Sequence, residues 1–482
     1  MMRPSPDLDA ARRRDELERS ASGTVDVLVV GGGITGVGAA LDAASRGLSV
    51  VLVEAEDLAF GTSRFSSKLV HGGLRYLATG DIETARESAQ ERHLLMTAIA
   101  PHLIRALPQL LPFAPGVSVR QRVAGAAGMA VGDLLRLQAH TPRRTLPGPR
   151  LVSRRSGLRL VPALDPHRLR GGMLTYDGQL VDDARLVVAV ARTAASLGAR
   201  ILTRVRATRL HGDGADAEDA LTGEPLKIRA RSVINATGVW AGSLDETITV
   251  RPSRGTHIVL DGAALGDPVA ALTIPHEGSI SRYVFALPQD SGRVIVGLTD
   301  EDAPGPVPDV AHPTEPEIAF LLENLNRVLE TPVRRDQVLG AFAGLRPLVD
   351  SPDSSTADIS RRHLVSASEA GFVSVLGGKL TTYRRMAEDA VDLAVRVGGL
   401  SAAPSRTASL RLVDTPATDS EQLVPGVALT RGEVESAVRT EGAMSADDVL
   451  DRRSRVGLVD ADRRRCLDPV TDLVARLLDE ID

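Results

Sequence analysis

A single cysteine, Cys466, is all that the 482-residue chain contains. That excludes an intramolecular disulfide and a cysteine-built zinc site, which needs several ligands at fixed spacing, and it fits a reducing cytoplasm. Aromatic residues make up only 2%, so Leu, Val and Ala must fill the interior. No metal site is expected. Long apolar runs are missing too: the longest uncharged stretch near the start, Val27 to Leu41, carries five glycines and falls short of the about 20 apolar residues that cross a bilayer. Met1 to Gly23 hold Arg3, Arg12, Arg13, Arg14 and Arg19 among as many acids with no apolar core, so they read as a short charged surface helix, not a signal peptide. A dominant charge is also absent. The net charge of -5 gives no overall pull toward nucleic acid or anionic lipid.

What is present is the balance of a globular enzyme, 43% hydrophobic and 25% charged residues, in a chain long enough for two or three domains. From Val25 onward a β-branched run, a glycine turn, a helix-period stretch and a second apolar run at Leu48 to Val53 spell the βαβ opening of a doubly wound sheet. Further helices are expected at Ile82–Ile99, Val181–Leu197, Glu315–Leu329 and Thr382–Val397. Strands are expected at Arg200–Thr203, Ser232–Asn235, His257–Leu260, Tyr283–Leu287 and Arg293–Gly297. Asp302 to Pro316 reads as an exposed loop, and a charge-dense helical tail begins at Arg431.

The first turn carries G-x-G-x-x-G at Gly31, Gly33 and Gly36, between a strand and a helix. The first glycine allows the tight turn, the second lets backbone approach a pyrophosphate, and the third permits close packing of helix on strand. Glu54 ends the next strand about 20 residues on, where a carboxylate accepts hydrogen bonds from an adenosine ribose. This reads the ADP half that FAD and NAD share. Two later segments favour FAD. Ser232 to Gly238, including Ala236 and Thr237, is a strand emptying into a small-residue turn. Gly377-Gly378-Lys379-Leu380-Thr381-Thr382 is a glycine turn opening a helix, whose N-terminus and lysine suit negative charge on the N1 and O2 edge of a reduced flavin. Only one such fingerprint exists, so no second domain holds NAD(P)H and electrons must leave to another acceptor.

In that order these segments resemble the FAD-dependent glycerol-3-phosphate dehydrogenases of respiratory chains, within the flavoproteins that include glycine and sarcosine oxidases. The resemblance runs from about Val25 to Val395. It includes Gly31–Gly38, Thr62 to Tyr76 (TSRFSSKLVHGGLRY), Asp182–Leu186, Arg254–Ile258, Gly344–Leu348 and Gly377–Tyr383. Departures are Val239 where the family usually has proline before Trp240, Leu298 for a more usual threonine, and a C-terminal domain shorter than in some members.

The resemblance implies an α/β fold: a Rossmann-like FAD-binding domain of the glutathione-reductase or amino-acid-oxidase type, an interleaved α+β substrate domain and a small helical C-terminal cap. The FAD domain is expected from residues 24–80, 170–245 and 340–398, the substrate domain from 81–169 and 246–339, and the cap from 399–482. It implies FAD contacts at Gly31, Gly33, Gly36, Glu54, Thr62, Ser63, Ser67, Lys68, Leu69, Ala236, Thr237, Gly238, Gly378, Lys379, Leu380 and Thr381. The implied reaction takes hydride from C2 of sn-glycerol 3-phosphate to the flavin and gives dihydroxyacetone phosphate, with a quinone as acceptor. Arg75 and Arg346 match the phosphate-binding arginines, whose planar forks suit phosphate oxygens. His257 matches the histidine near the substrate hydroxyl, and its ordinary pKa near 6.5 suits a general base. Lys379 is the candidate for stabilising alkoxide or reduced flavin, Tyr76 lines the pocket, and His71 packs beside the flavin.

Two other readings stay open: an amino-acid or 2-hydroxyacid oxidase using O2, and a flavin-holding protein without catalysis. A homodimer is expected, as is a cytoplasmic protein peripheral on the inner face of the cell membrane. The region from His102 to Arg155 has nine arginines and one acid, Asp133, with apolar stretches at Leu103–Phe113 and Val123–Met129. Such a segment is expected to dock on anionic lipid beside a quinone, the other reading being a basic, solvated or dimer-forming subdomain.

Overall fold

The computed structural model describes residues 5–73, 81–114, 117–277, 282–349, 363–414 and 420–481. Its strands are, in chain order, β1 (Thr24–Val30), β2 (Val50–Glu54), β3 (Leu69–Val70), β4 (Ile104–Pro112), β5 (Arg150–Val152), β6 (Gly172–Leu180), β7 (Arg200–Thr203), β8 (Val205–His211) and β9 (Gly214–Asp219). There follow β10 (Glu224–Asn235), β11 (Val250–Asp261), β12 (Ala271–Pro275), β13 (Tyr283–Pro288), β14 (Arg293–Gly297), β15 (Glu301–Asp302), β16 (Val338–Val349), β17 (His363–Ala367) and β18 (Val373–Gly377).

One sheet has the order β17-β18-β10-β1-β2-β7, extended by β8 and β9. β1 is parallel to both neighbours, β2 and β10. Buried on both faces, it needs the continuous apolar run Val27 to Val30. Helices Ile34–Ser45, Asp183–Ser196 and Tyr383–Val397 share an apolar core on one face. The turn after β1 is set by two close approaches. Gly31 has φ +112°, and a Cβ there would lie 2.6 Å from the Ala236 carbonyl oxygen, while one on Gly36 would lie 1.8 Å from that of Gly31. The helix therefore starts hard against the strand, with its positive end aimed at the edge where β1, β2 and β10 finish.

The second sheet runs β15-β11-β14-β13-β12-β4-β6-β3, with β16 paired to β11 and β5 to β6. Helix Glu315–Asn326 covers one side of it. Along the antiparallel β11–β16 ladder Ser253 faces Arg346 and His257 faces Phe342. The two-residue period of a strand puts all four side chains on one face.

The C-terminal module packs helices Arg431–Thr440 and Asp460–Ile481 around Val434, Val438, Leu473 and Leu477. It is held to the start of helix Asp183–Ser196 by ion pairs, among them Arg185–Glu441 at 2.7 Å and Arg455–Asp182 at 2.8 Å.

Three expectations change. β6 and β16, which the sequence pattern does not mark as strands, join the second sheet, although residues 170–245 and 340–398 are expected in the FAD domain. The stretch Leu103–Phe113 is not free for lipid, because Ile104–Pro112 is β4, paired between β12 and β6 with most of its side chains buried. The first helix, Ala10–Ser22, is less superficial than its charges suggest: Arg13 is buried and pairs with Asp219 at 2.6 Å. Among the described residues no helix is long and apolar enough to cross a membrane.

Gly36→Ala is expected to cost at least the upper end of the roughly 1–3 kcal/mol typical of overpacking. Urea unfolding of the apo-protein checks this, and a variant as stable as the parent contradicts the packing described.

Candidate active site

Residues from both sheets line one cavity of about 1270 Å³. That exceeds the about 300–1,000 Å³ of pockets for drug-sized ligands and leaves room for a dinucleotide and a small substrate together. Its walls begin at the carboxyl ends of β1, β2 and β10, with Gly31, Gly33, Glu54, Ala236, Thr237 and Gly238. They continue through Thr62, Ser63, Ser67 and Leu69, and include Gly378, Lys379, Leu380 and Thr381 as well as His257 and Arg346.

At the nucleotide end the Glu54 carboxylate accepts hydrogen bonds from the backbone N–H of Gly32 (2.5 Å) and of Glu56 (2.9 Å). Burial pushes its pKa up. The Ser63 hydroxyl accepts from Ile34 N–H at 2.9 Å and so occupies the start of the first glycine-turn helix. Thr62 Oγ1 donates to the Leu345 carbonyl at 2.6 Å, tying this wall to β16.

At the other end His257 is only 2% exposed, stacks on Phe342 with ring centroids 4.8 Å apart, and has Nε2 2.9 Å from Ser67 Oγ. Its room comes from Gly297 on the neighbouring strand, where a Cβ would lie 2.0 Å from the ring. Burial, with the charges of Lys68 and Arg346, pushes its pKa down to about 3. The ordinary value near 6.5 expected from sequence is thus corrected, and His257 is a neutral imidazole at any physiological pH. Arg346 Nη1 donates to Asp300 Oδ1 at 3.0 Å and to Ser253 Oγ at 3.3 Å, and Nη2 donates to the Thr299 carbonyl at 3.2 Å. These contacts fix the plane of the guanidinium. Lys379 donates through Nζ to Ser88 Oγ on helix Ile82–Leu94.

The structure therefore brings together Glu54, the glycine turns, Ser67, His257, Arg346 and Lys379, with His71 also in the wall. Arg75 and Tyr76 lie outside the described residues. Lys68 and Gly36 do not line the cavity. The Lys68 ammonium is buried behind the wall, 2.7 Å from Asp183 Oδ2 and bonded to the Arg64 carbonyl, so its side chain is not a cofactor ligand. Gly36 acts through packing alone. Sequence reasoning missed Asp300, although it had picked out the segment Gly297–Asp300, and it missed Arg86 and Asp177, which also line the cavity. Asp177 accepts from Gly72 N–H and pairs with Arg92 at 2.6 Å, steadying the start of the glycine-glycine turn; no local motif marks it.

A family model described as FAD dependent oxidoreductase matches residues 26–384. Glycerol-3-phosphate dehydrogenase 1 of Mycobacterium tuberculosis (strain H37Rv) is 48% identical, over 99% of this chain and 100% of that protein. The chain belongs to the FAD-dependent glycerol-3-phosphate dehydrogenases. Glycerol-3-phosphate dehydrogenase from Bacillus halodurans, solved in complex with FAD, shares the fold of this family member with a TM-score of 0.73 at 24% identity, covering 98% of this chain and 96% of that one. Glycine oxidase from Geobacillus kaustophilus follows with a TM-score of 0.57 at 17% identity, covering 82% and 100%. The α/β architecture of this dehydrogenase is thus the one that its motifs imply. Its cavity suits FAD: a half-buried carboxylate at the end of β2, a helix N-terminus lined by glycines and the Ser63 hydroxyl, and a second glycine turn with a lysine at Gly377–Thr381.

The imidazole of His257 is expected to show no titration between pH 8 and pH 5 in an NMR experiment on histidine-labelled protein, and a midpoint near 6.5 contradicts the buried site. The unfolded chain protonates near 6.5 and the folded one near 3. The stabilising contribution of the neutral ring is therefore complete above about pH 6.5 and is lost as pH falls toward 3.

Proposed function

We propose that the protein oxidises sn-glycerol 3-phosphate to dihydroxyacetone phosphate and passes the electrons to a quinone-type acceptor at a membrane surface. The observation that carries the reading is the convergence of Arg346, Lys379 and the Ser67–His257 pair in the cavity that also holds the two glycine turns. When bound, FAD supplies the two-electron acceptor for the hydride from C2.

Arg346, with Arg75 by resemblance, binds the phosphate. Asp300 and the Thr299 carbonyl hold the Arg346 fork in one plane, which suits a bidentate contact. His257 accepts the C2 hydroxyl proton at Nε2, beside Ser67 Oγ. A pKa near 3 makes the imidazole a weak base without substrate. A bound phosphate dianion opposes the positive charge of Arg346 and raises that basicity, so the base becomes competent when the substrate is in place. Lys379 stabilises the negative charge that develops as this proton leaves.

The acceptor side rests on helix Val119–Gln138. Gly125, Met129, Val131 and Leu134 of this helix line the cavity. Val119 (71% exposed), Val123 and Leu137, outside the cavity lining, add exposed apolar surface. Arg120 on the same helix, and Arg143, Arg144, Arg150, Arg154 and Arg155 in the segment that follows it, are exposed and make no ion pair among the described residues. Each such cation gains about 1 kcal/mol near an anionic surface. This supports docking on the inner face of the cell membrane with the cavity beside the lipid.

Truncating one partner of a desolvated charge contact costs about 2–5 kcal/mol, so Arg346→Ala is expected to lower kcat/KM for glycerol 3-phosphate by about two to three orders of magnitude. Turnover of glycerol, which lacks the phosphate, is expected to be nearly unchanged, whereas His257→Ala depresses both substrates. An equal loss on the two substrates with FAD retained would place Arg346 in the flavin site or the fold. In sedimentation at low salt the protein is expected to bind anionic vesicles more than neutral ones, and Arg143→Glu with Arg144→Glu to remove the difference; equal binding to both vesicles contradicts electrostatic docking.

A further inference from the structure

Among the described residues none beyond Met386 lines the cavity, so the C-terminal module touches neither substrate nor cofactor directly. Its charges nevertheless enter the wall of the nucleotide site. The segment that follows β2 supplies Ala55, Glu56, Phe60, Gly61, Thr62 and Ser63 to the cavity. In its middle Asp57 is 1% exposed and turns away from the cavity toward the module. Arg453 grips both carboxylate oxygens, Nη1 to Oδ2 and Nη2 to Oδ1, each at 2.8 Å. Arg452 Nε adds a third contact to Oδ2 at 2.7 Å. The Arg452 guanidinium also lies 5.7 Å from the Phe60 ring centroid, and its Nη2 bonds Asp448. Asp448 in turn pairs with Arg204 at 2.6 Å, and Arg204 pairs with Glu56 at 3.1 Å.

Two consequences follow. Glu54, Glu56 and Asp57 place three carboxyl groups within four positions beside the site of an anionic pyrophosphate, and the Asp57 charge works against ionisation of Glu54. The two arginines cancel that charge, and they hold Asp57 well below the ordinary carboxylate range against the upward push of burial. They also fix the position of a segment whose backbone otherwise meets the glycine turn through Ala59 N–H to the Gly32 carbonyl, 3.0 Å. We propose that Arg452 and Arg453 are positioning residues for the nucleotide half of FAD, and that the C-terminal module works as a clamp on the segment 55–61. This rests on placing the ADP half of the cofactor at Gly31 to Glu54.

The test compares apo-protein of wild type, Arg453→Lys, Arg204→Gln and Glu54→Gln. Breaking a buried pair outright is strongly destabilising, so lysine, which keeps the charge and loses the fork, is preferred to alanine. Arg204 is a more exposed link that leaves Asp57 paired. FAD binding is measured by flavin fluorescence quenching, with ADP as competitor and thermal unfolding alongside. Arg453→Lys is expected to weaken FAD and ADP by the same factor, about tenfold, and Arg204→Gln by a smaller common factor. With FAD saturating, KM for glycerol 3-phosphate stays within about twofold of wild type. If Arg453→Lys lowers the unfolding temperature but leaves both affinities within about twofold, the module is a structural prop and the proposal fails. If Glu54→Gln also leaves both affinities unchanged, the placement of the ADP half is what fails, and the proposal goes with it.

Discussion

The approach of one backbone to another at the end of β1 is the constraint on which the site depends. Because Gly36 packs against the Gly31 carbonyl and Gly31 against that of Ala236, helix Ile34–Ser45 begins where three parallel strands end. Its N-terminus then faces the cavity, with the Ser63 hydroxyl on Ile34 N–H and the glycine backbone open to an incoming phosphate. Glu54, at the end of the next strand, is fixed by two backbone N–H groups of the same region. Side chains at these glycines would push strand and helix apart, and the wall made by Thr62 and Ser63 would lose its footing on Leu345 and Ile34.

The substrate end is organised by charge. A buried imidazole beside two cations is held neutral, so the histidine can take a proton only when something negative arrives. In the proposed reaction the phosphate of the substrate is that negative group. On that proposal binding and chemistry are linked through Arg346: the arginine proposed to hold the phosphate is also one of the charges that keep His257 unprotonated. Lys68, buried with Asp183, supplies the other from behind the wall.

Much of this was legible in the chain. The glycine fingerprint and Glu54 were readable because dinucleotide binding requires fixed spacing along one βαβ unit, and the turn at Gly377–Thr381 because its paired glycines open a helix. The helices at Ile82, Asp183, Glu315 and Tyr383 were readable from their apolar period. Sheet membership was not: β6 and β16 are not marked as strands by the sequence pattern, and their cross-strand partners place them in the second sheet. The stretch Leu103–Phe113 misled for a similar reason, since an apolar run beside arginines looks the same whether it faces lipid or, as β4, other strands. The weakened basicity of His257, the Asp300 partner of Arg346 and the withdrawal of Lys68 all arise from residues far apart in sequence, which no local pattern reports. The grip of Arg452 and Arg453 on Asp57 spans almost the whole chain.

The most direct measurement is the anaerobic absorbance of the flavin as purified holoenzyme is mixed with a panel of candidate reductants. The arrangement of Arg346, Lys379 and His257 predicts that glycerol 3-phosphate bleaches the flavin within the time of a turnover, while glycine, sarcosine and 2-hydroxyglutarate leave it oxidised. A flavin that stays yellow with glycerol 3-phosphate, or that bleaches equally fast with one of the carboxylates, contradicts it.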